Sequence, residues 1–484
     1  MHRLFLQPST VLGHRSLVNG LVALVLLLGT NQSFAQARLD LPGAINYALS
    51  QNRQLVRSAL SIDSSGLRGA DARTEFQPSI RPDLTARVSG GQRSFGYGLR
   101  ASKKLISGTE LSASSRLLSN PDAPGGVLHE GSIRLEIQQP LFRNFGSLIH
   151  GEALVQASNA LKSAQRRFLL QKADLVVEVV QTYEKILRLK QQVRSDQQSF
   201  NRMDALYRVT KEKELLGRTT RIDTLRVGLL RGQALARLEA NQERIAATER
   251  DFAELLRFSP DTVFELQPTL LLEFELPQPE EAVRIALENR LDYAEVLQDH
   301  GDALRGVRIA RRRLLPDVKV SAGHEWLGAG PATLDAIRLD ENVWFIRITL
   351  ETDLNLARER IALGQAKITQ TSALQTIELV ELSIARQVQQ HLLAYRRAQA
   401  ELEIADRNLD LAARRAKLAR RLFALGRADN FSVTDAEVAY LQADNRLLST
   451  RTEASISGYR LSRVLGTLVE TPEPLRPPPV NGKQ

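Results

Sequence analysis

Cysteine is absent from this sequence of 484 residues. Disulfide bonds, thiolate metal sites and a lipidated N-terminal cysteine are therefore excluded. Histidine is scarce, because the seven histidines are scattered without an HExxH motif or the paired spacing of a metal site. Aromatic residues make up only 5% of the chain. We therefore expect neither a metal site nor a cofactor.

The motifs of common enzyme classes are missing as well. The sequence has no glycine-rich phosphate loop and no nucleophile elbow, so we expect that the protein is not an enzyme. The net charge of +10 leaves a second hypothesis open: a secreted or soluble arginine-rich coiled-coil protein with a structural or nucleic-acid-binding role. Basic and acidic residues are interleaved along helical segments, however. This pattern favours solvated helix faces and predicts no nucleic-acid partner.

Long apolar runs are absent beyond the N-terminus. There, Arg3 and Arg15 precede the run LVNGLVALVLLLGT, and the small residues of SFAQA follow shortly after it. The run is shorter than the ~20 residues of a membrane-spanning helix, and the small residues are typical of a cleavage site. The pattern predicts a signal peptide over 1–37, cleaved after Ala35 or Ala37, with an uncleaved anchor as the alternative.

Two segments of the sequence resemble each other at a fixed offset. GAINYALSQNRQL (Gly43–Leu55) resembles EAVRIALENRLDY (Glu281–Tyr293), and Ala44 pairs with Ala282, an offset of 282 − 44 = 238. Later, LGRTTRIDTLRV resembles LGRADNFSVTDA with an offset of 426 − 217 = 209. The offset falls by 238 − 209 = 29, so the first half contains an insertion. We interpret the chain as a tandem duplication.

Each half contains segments in which apolar and polar residues alternate, as in strands. Their lengths approach the ~9–11 residues that cross a bilayer, and one face carries charge, as the wall of a water-filled channel would. A water-soluble sandwich would give the same alternation. Trp326 and Trp344 suit an interfacial aromatic belt or a core equally well. The predicted strands are Leu84–Gly90, Tyr97–Ile106, Thr109–Leu117, Ser132–Leu141, Val318–Leu327 and Val343–Thr352.

Very long helices follow the strands. Two helical patterns run from about Leu148 to Leu216 and from about Arg358 to Leu425, roughly 100 Å each at 1.5 Å per residue. Gly217 and Gly426 end them, and the returning helices are predicted over Arg221–Phe258 and Phe431–Leu465. The second pattern has a heptad seam whose alanines let neighbouring helices approach closely, and this seam favours assembly of several chains. The apolar positions of the seam are Leu402, Ala405, Leu409, Ala412, Ala416, Ala419 and Phe423.

In a single chain, the strands cannot close a barrel and the helical hairpins cannot bury a core. Six strands do not readily close around a channel, and backbone groups in lipid need a closed barrel. Two thin hairpins cannot bury a core. We therefore expect several copies of the chain to share one barrel.

Four motifs in this order resemble the TolC-like outer-membrane efflux family over essentially the whole mature chain. They are AINYALSQN, PLFRNFG (Pro140–Gly146), AVRIALENR and LGRADNFSVTDAEVAYLQA (Leu425–Ala443). The resemblance implies a mixed α/β membrane protein: a homotrimer with a transmembrane β-barrel in outer-membrane lipid, continued by a long periplasmic α-helical coiled-coil barrel built from two internal repeats. It also implies a channel of a tripartite efflux or type I secretion system, with a periplasmic adaptor and an inner-membrane transporter as partners.

The resemblance and the breaks in the pattern give domain boundaries. After the signal peptide we expect, for repeat 1, opening helices over 38–80, barrel strands with the insertion over 81–142 and a hairpin over 143–260. A linker and the opening helices of repeat 2 follow over 261–316, then strands over 317–354, a hairpin over 355–468 and a Pro-rich disordered tail over 469–484. Family members usually give two strands per repeat, whereas the first repeat has room for four. The usual PLF-Gly junction is replaced by ETDLNLARER in the second repeat.

The resemblance also indicates functional residues at the ends of the hairpins. Adaptor docking is expected at two matching turns, Leu216, Gly217 and Arg218 and then Leu425, Gly426 and Arg427, although each glycine would also serve simply as a helix end. A periplasmic gate of acidic and polar side chains is expected just beyond, at Asp223, Ser432 and Asp435. The alternative is that these aspartates only stabilise the helix N-termini.

Overall fold

The computed structural model describes residues 37–90, 92–123, 126–268, 276–351 and 353–478. The predicted signal peptide therefore lies outside the described residues, except for Ala37. The described chain begins with β1 (Ala37–Leu39), which pairs in parallel with β6 (Phe264–Leu266). This pair, which no sequence pattern predicts, joins the start of the chain to the segment between its two halves.

The same order of elements occurs in both halves of the chain. Two opening helices are followed by strands, a very long helix and a returning helix. In the first half these helices are α1 (Leu41–Gln51), α2 (Arg53–Thr74), α4 (Glu152–Leu215) and α5 (Arg221–Leu256), with a short α3 (Ser147–His150) before α4. In the second half they are α6 (Pro279–Asn289), α7 (Leu291–Arg312), α9 (Ala357–Ala424) and α10 (Asn430–Leu465), with a short α8 (Thr333–Arg338) between strands.

Corresponding helices agree closely in length. The opening helices have 11 and 22 residues in both halves, and the returning helices have 36. The two long helices have 64 and 68 residues, about 100 Å each at 1.5 Å per residue. In α9 every residue of the predicted heptad seam is buried or half-buried against its neighbours. The alanines of the seam thus bring the helices of one chain together, and assembly between chains needs a different surface.

Each of the six predicted strands overlaps an observed one, and all six form a single antiparallel sheet. Its order is β2-β3-β4-β5-β7-β8, so the two extra strands of the first half stand between β2 and β5. The strands are 11 to 15 residues long. They are β2 (Ser79–Ser89), β3 (Gln92–Lys104), β4 (Glu110–Asn120), β5 (Leu128–Phe142), β7 (Asp317–Gly330) and β8 (Glu341–Glu351).

Two apolar clusters hold the opening helices against the long hairpins. In the first, α1 packs on α4 and α5 around Tyr183 and Phe252, both fully buried. In the second, α6 packs on α9 and α10. Ala44 and its counterpart Ala282 are both 0% exposed, because only a small side chain fits where an opening helix meets a long one. The residues that resemble each other in sequence therefore occupy equivalent packing positions in the two halves.

The C-terminal segment differs from the predicted disordered tail. Glu473–Leu475 forms a short 3-10 helix, and Leu475 is buried. The buried guanidinium of Arg166 in α4 donates to the Leu475 carbonyl oxygen at 3.1 Å. Prolines prevent a long helix here, but they do not prevent packing, so composition was a poor guide over 469–478. The last six residues, 479–484, lie outside the described part.

Helix α8 is a second element without a sequence signal. It lies between β7 and β8 and packs on the far end of the sheet, with Ala336 fully buried. The helix packs closely against two glycines of the sheet. A Cβ atom at Gly131 would lie 2.2 Å from the Ala336 carbonyl oxygen, and one at Gly328 would lie 2.5 Å from it, so a larger residue does not fit at either position. Six residues are too few for a helical period to stand out.

Candidate functional site

The sheet has one apolar face and one polar face across all six strands. Cross-strand neighbours on one face give a row that is apolar except for His324: Ile80, Ala101, Ala113, Leu135, His324 and Trp344. The adjacent row on the other face is polar except for Val343: Arg81, Arg100, Ser114, Arg134, Glu325 and Val343. Leu84, Trp344 and Ile348 are each more than 70% exposed. An apolar surface of this extent is typical of contact with lipid, and the charged face suits a water-filled lumen.

Ion pairs organise the charged face. The Arg134 guanidinium donates to both carboxylate oxygens of Glu325 on the adjacent strand, at 2.8 Å each. Arg116 lies 3.4 Å from Asp83 across β3. Among the described residues, no helix combines the length and the apolar character needed to span a membrane.

The strand-to-helix junctions are tied together. Arg143, just after β5, pairs with Glu359 in the first turn of α9 at 3.1 Å. The Asn144 side chain donates to Asp317 at the start of β7 at 3.0 Å. The two halves therefore pass from sheet to long helix side by side. The second junction does so without the PLF-Gly pattern, since β8 ends at Glu351 and α9 begins at Ala357.

The two predicted docking turns have the same geometry. Gly217 and Gly426 adopt φ values of +68° and +69°, the left-handed conformation that favours glycine. The amides that follow, of Arg218 and Arg427, each donate to a carbonyl five residues back at 2.8 Å. Both turns are thus Schellman motifs that end a long helix. The leucines before them stay outside the fold, with Leu216 68% and Leu425 63% exposed.

Asp223, a predicted gate residue, forms a capping box with Thr220, the N-cap residue of α5. Its carboxylate accepts from the Thr220 hydroxyl at 2.6 Å, while the Asp223 amide donates to the Thr220 hydroxyl oxygen at 3.3 Å. The hydrogen bond from Thr220 holds the pKa of Asp223 below its usual value. Arg226, one turn later, lies 3.7 Å away. The carboxylate thus has a clear structural role at the helix N-terminus.

The other two predicted gate residues lie on one exposed face of α10. The Ser432 hydroxyl donates to Asp429, the N-cap residue, at 2.6 Å. At the matching tip the order is inverted, with Thr220 as the N-cap and Asp223 as its partner. The carboxylate at this end of α10 is therefore Asp429, one turn before Ser432.

Asp435 has a partner that the sequence did not indicate. Its carboxylate accepts a hydrogen bond from Arg415 of α9, the antiparallel helix of the same hairpin. Both side chains are partly exposed, at 46% and 57%. The pair carries no net charge, so Asp435 does not present a free carboxylate in a single chain. Nothing in the sequence shows which residues of two antiparallel helices face each other.

A buried carboxylate joins the two hairpins near their tips. Glu437 of α10 is only 4% exposed and lies 2.7 Å from Arg202 of α4 and 3.3 Å from Arg420 of α9. Sequence reasoning missed this residue. A signal existed, because Glu437 interrupts the apolar stripe of Val433, Ala436 and Leu441 on α10. A carboxylate in such a stripe is buried only when it is paired.

Comparisons with known proteins agree with this architecture. Residues 282–467 match the model of the family described as outer membrane efflux protein. No curated protein matches the sequence.

Several solved outer-membrane channels have a similar structure. VceC from Vibrio cholerae is 16% identical, with a TM-score of 0.67 over 88% of this chain and 96% of that one. CmeC from Campylobacter jejuni is 12% identical, with a TM-score of 0.67 over 89% and 86%. The open state of MtrE from Neisseria gonorrhoeae is 14% identical, with a TM-score of 0.65 over 88% and 89%. At these identities the likeness shows the fold. With the family match, it confirms the predicted resemblance and agrees with an outer-membrane location and a periplasmic helical part.

Proposed function

We propose that this chain, which has the channel fold and an outer membrane efflux protein domain, is the outer-membrane component of a tripartite efflux or type I secretion system. In this role it passes substrate from an inner-membrane pump and a periplasmic adaptor to the outside. The observation that carries the proposal is the two-faced sheet, whose strands lead directly into helices of about 100 Å. One side meets lipid, the other meets water, and the helices extend the water-filled path.

We propose a homotrimer, because α9 has an apolar stripe that its own chain leaves uncovered. The stripe follows steps of 7, 11, 3, 11, 11, 7 and 7 residues, which keep to one side of a straight helix. It lies about 100° around the helix from the seam that packs within the chain, because Ile404, Leu411 and Leu418 each directly precede a seam residue. Each side chain in it is at least 58% exposed: Ile361, Ile368, Leu379, Leu382, Leu393, Ile404, Leu411 and Leu418. On α5, the returning helix of the first hairpin, Ile222, Leu225 and Leu229 are similarly exposed.

The stripes fit a head-to-tail contact between copies, since such contacts close into a ring. The repeated element order and matching helix lengths support the interpretation as a tandem duplication. The alternative, a soluble coiled-coil or nucleic-acid-binding protein, does not account for the exposed apolar sheet.

The proposal predicts where the protein is found and how it assembles. Cell fractionation should place it in the outer membrane, and light scattering of the detergent-solubilised protein should give a mass near three chains. Deleting the gene should stop the export of at least one compound, and the intact gene should restore it. A stable monomer in the soluble fraction would refute both the barrel and the channel.

We propose the two Leu-Gly-Arg turns as the adaptor contact. Each exposes a leucine and an arginine on a rigid turn at the far end of a hairpin. Exposed apolar side chains next to charges are typical of protein contacts.

For the gate, we propose that Arg415 and Asp435 act as a pair beside Ser432 and Asp223. Three such pairs around one axis would give little net charge, whereas three unpaired carboxylates would attract cations. We therefore expect Arg415→Ala to increase the block of single-channel conductance by divalent cations severalfold. Arg415→Ala with Asp435→Ala should abolish the increase. Lys417→Ala, an exposed cation on another face of the same helix, is the control. An unchanged block in Arg415→Ala would mean that Asp435 lies away from the conducting path.

A further inference from the structure

We infer that the barrel of this protein has eighteen strands, half again as many as a chain with two strands per repeat would give. This inference deepens the proposed function and rests on the proposed trimer. Three copies of the six-stranded sheet, 3 × 6, give eighteen strands. The number is eighteen only if the extra hairpin, β3 and β4, belongs to the channel wall.

Hydrogen bonding places the extra hairpin inside the sheet. The β2–β3 ladder pairs Ser79 with Ser102 through Ser89 with Gln92, and the β3–β4 ladder pairs Phe95 with Ser119 through Lys104 with Glu110. The β4–β5 ladder is equally continuous. A hairpin that folded into the lumen or out over the surface would leave β2 to pair directly with β5, and it does not.

The extra hairpin has the same two faces as the other strands. Its apolar side carries Phe95, Tyr97 and Leu99, which are 40%, 55% and 49% exposed and lie in line with the apolar rows on both sides. Its other side carries Arg100 and Arg116. A plug inside the lumen would need no apolar face, whereas a strand between lipid and water needs one.

Both ends of the extra hairpin are anchored. At the helix end, the Gly146 amide of the strand-to-helix junction donates to the Ser107 carbonyl in the β3–β4 turn at 2.9 Å. There too, Lys104 pairs with Glu75, just after α2, at 2.6 Å. At the opposite end, Arg93 makes an ion pair of 2.9 Å with Asp122.

The free edges of the sheet allow closure by copies of the chain. The edge strands are β2 and β8, and nearly every residue of both is exposed. Since the sheet is antiparallel and has an even number of strands, β2 and β8 run in opposite directions. The β8 edge of one copy therefore meets the β2 edge of the next in antiparallel orientation, and this contact leaves no edge unpaired.

A barrel of eighteen strands also changes which cargo can pass. At equal strand tilt, the diameter of a barrel grows roughly in proportion to strand number, so eighteen strands give a barrel about 1.5 times as wide as twelve. Barrels of this strand number enclose an open aqueous channel. The outer-membrane part would then admit hydrated solutes larger than a twelve-stranded barrel accepts.

The test uses the natural lack of cysteine. Single cysteines are introduced on the polar side of the extra hairpin, as Arg100→Cys and Arg116→Cys, and on its apolar side, as Leu99→Cys and Leu117→Cys. In the purified trimer in lipid, a membrane-impermeant maleimide should label the first pair severalfold faster than the second. Equal labelling of both pairs would place the hairpin outside the wall and overturn the inference.

A matched pair in β8 separates this inference from the proposed function. Arg347→Cys should be labelled severalfold faster than Ile346→Cys in either kind of barrel. Alternation in β8 without alternation in the extra hairpin would leave a twelve-stranded channel. Loss of alternation in β8 would refute the channel itself.

A second measurement reads the width directly. Polymers of graded size are added from the outside, and the largest diameter that enters the channel is measured. This limiting diameter should be larger for the intact protein than for a variant lacking residues 91–121. The expected fall in limiting diameter is about one third. An unchanged limit in a folded variant would contradict the inference, and the labelling series decides if that variant does not fold.

Discussion

Replacing Gly426 by tryptophan is expected to abolish export while the trimer still forms. The structure leaves open space around this glycine, with no neighbouring atom within 4 Å of the position that a Cβ atom would take. The φ value of +69° adds roughly 1–2 kcal/mol of strain for any other residue. That strain is too small to unfold long packed helices. The indole would instead occupy the space where a partner contacts the turn.

The expected loss of adaptor binding in Gly426→Trp can be estimated from the energy of an interface contact. Displacing a central interface contact costs about 3 kcal/mol, which weakens adaptor binding roughly 100-fold. Co-purification of the adaptor in mild detergent and an export assay measure this. Gly426→Ala is the matched control, because it adds the same backbone strain without the bulk and should keep most export. Normal export by Gly426→Trp would exclude docking at this turn. Equal loss in both variants would attribute the effect to the backbone.

The second large effect is expected from charges on the uncovered stripe of α9. Leu411→Asp with Leu418→Asp should prevent trimer formation. In a single chain these leucines are 63% and 58% exposed, so the variant leaves the fold of the chain intact. In a trimer they would be buried against a neighbour, where each leucine contributes about 2 kcal/mol and each buried unpaired carboxylate costs still more.

The measurement is the mass of the detergent-solubilised protein, with circular dichroism to verify that the helices remain. Lys417→Asp, an exposed polar position between the two leucines but on another face, is the control and should assemble normally. A double variant that still has the mass of three chains would show that the stripe meets solvent or lipid. The neighbour would then have to contact a different face.

The helices were the most predictable part of the fold because their signals are local. The observed end of α9 at Ala424 lies one residue from the predicted end at Leu425, since Gly426 terminates the helix by its own conformation. The strands were recognisable from alternation alone. Their arrangement in one sheet was not, because the pairing of β5 with β7 joins distant segments, such as Arg134 and Glu325, which are 191 residues apart. Local patterns therefore predicted elements, and only the structure gave their arrangement.

In the candidate site, too, local patterns predicted the turns but not the contacts between distant residues. The two glycine turns were found from the repeated Leu-Gly-Arg, and the structure gives them one geometry. The partner of Asp435 was not found, because Arg415 lies 20 residues away on an antiparallel helix. The cap at Asp429 was also missed, although Asp before a helix is a common N-cap signal.

The buried Arg166 has a consequence for how the chain folds. Its guanidinium contacts the Leu475 carbonyl, 309 residues further along the chain, and Glu295, 129 residues further, at 3.0 Å. The base of the first hairpin is therefore completed by residues that are synthesised long after it. Contacts of such long range form slowly, because the entropy of closing the loop is lost before they stabilise anything. The first half of the chain cannot finish folding ahead of the second, so the molecule matures as one unit although its sequence reads as two.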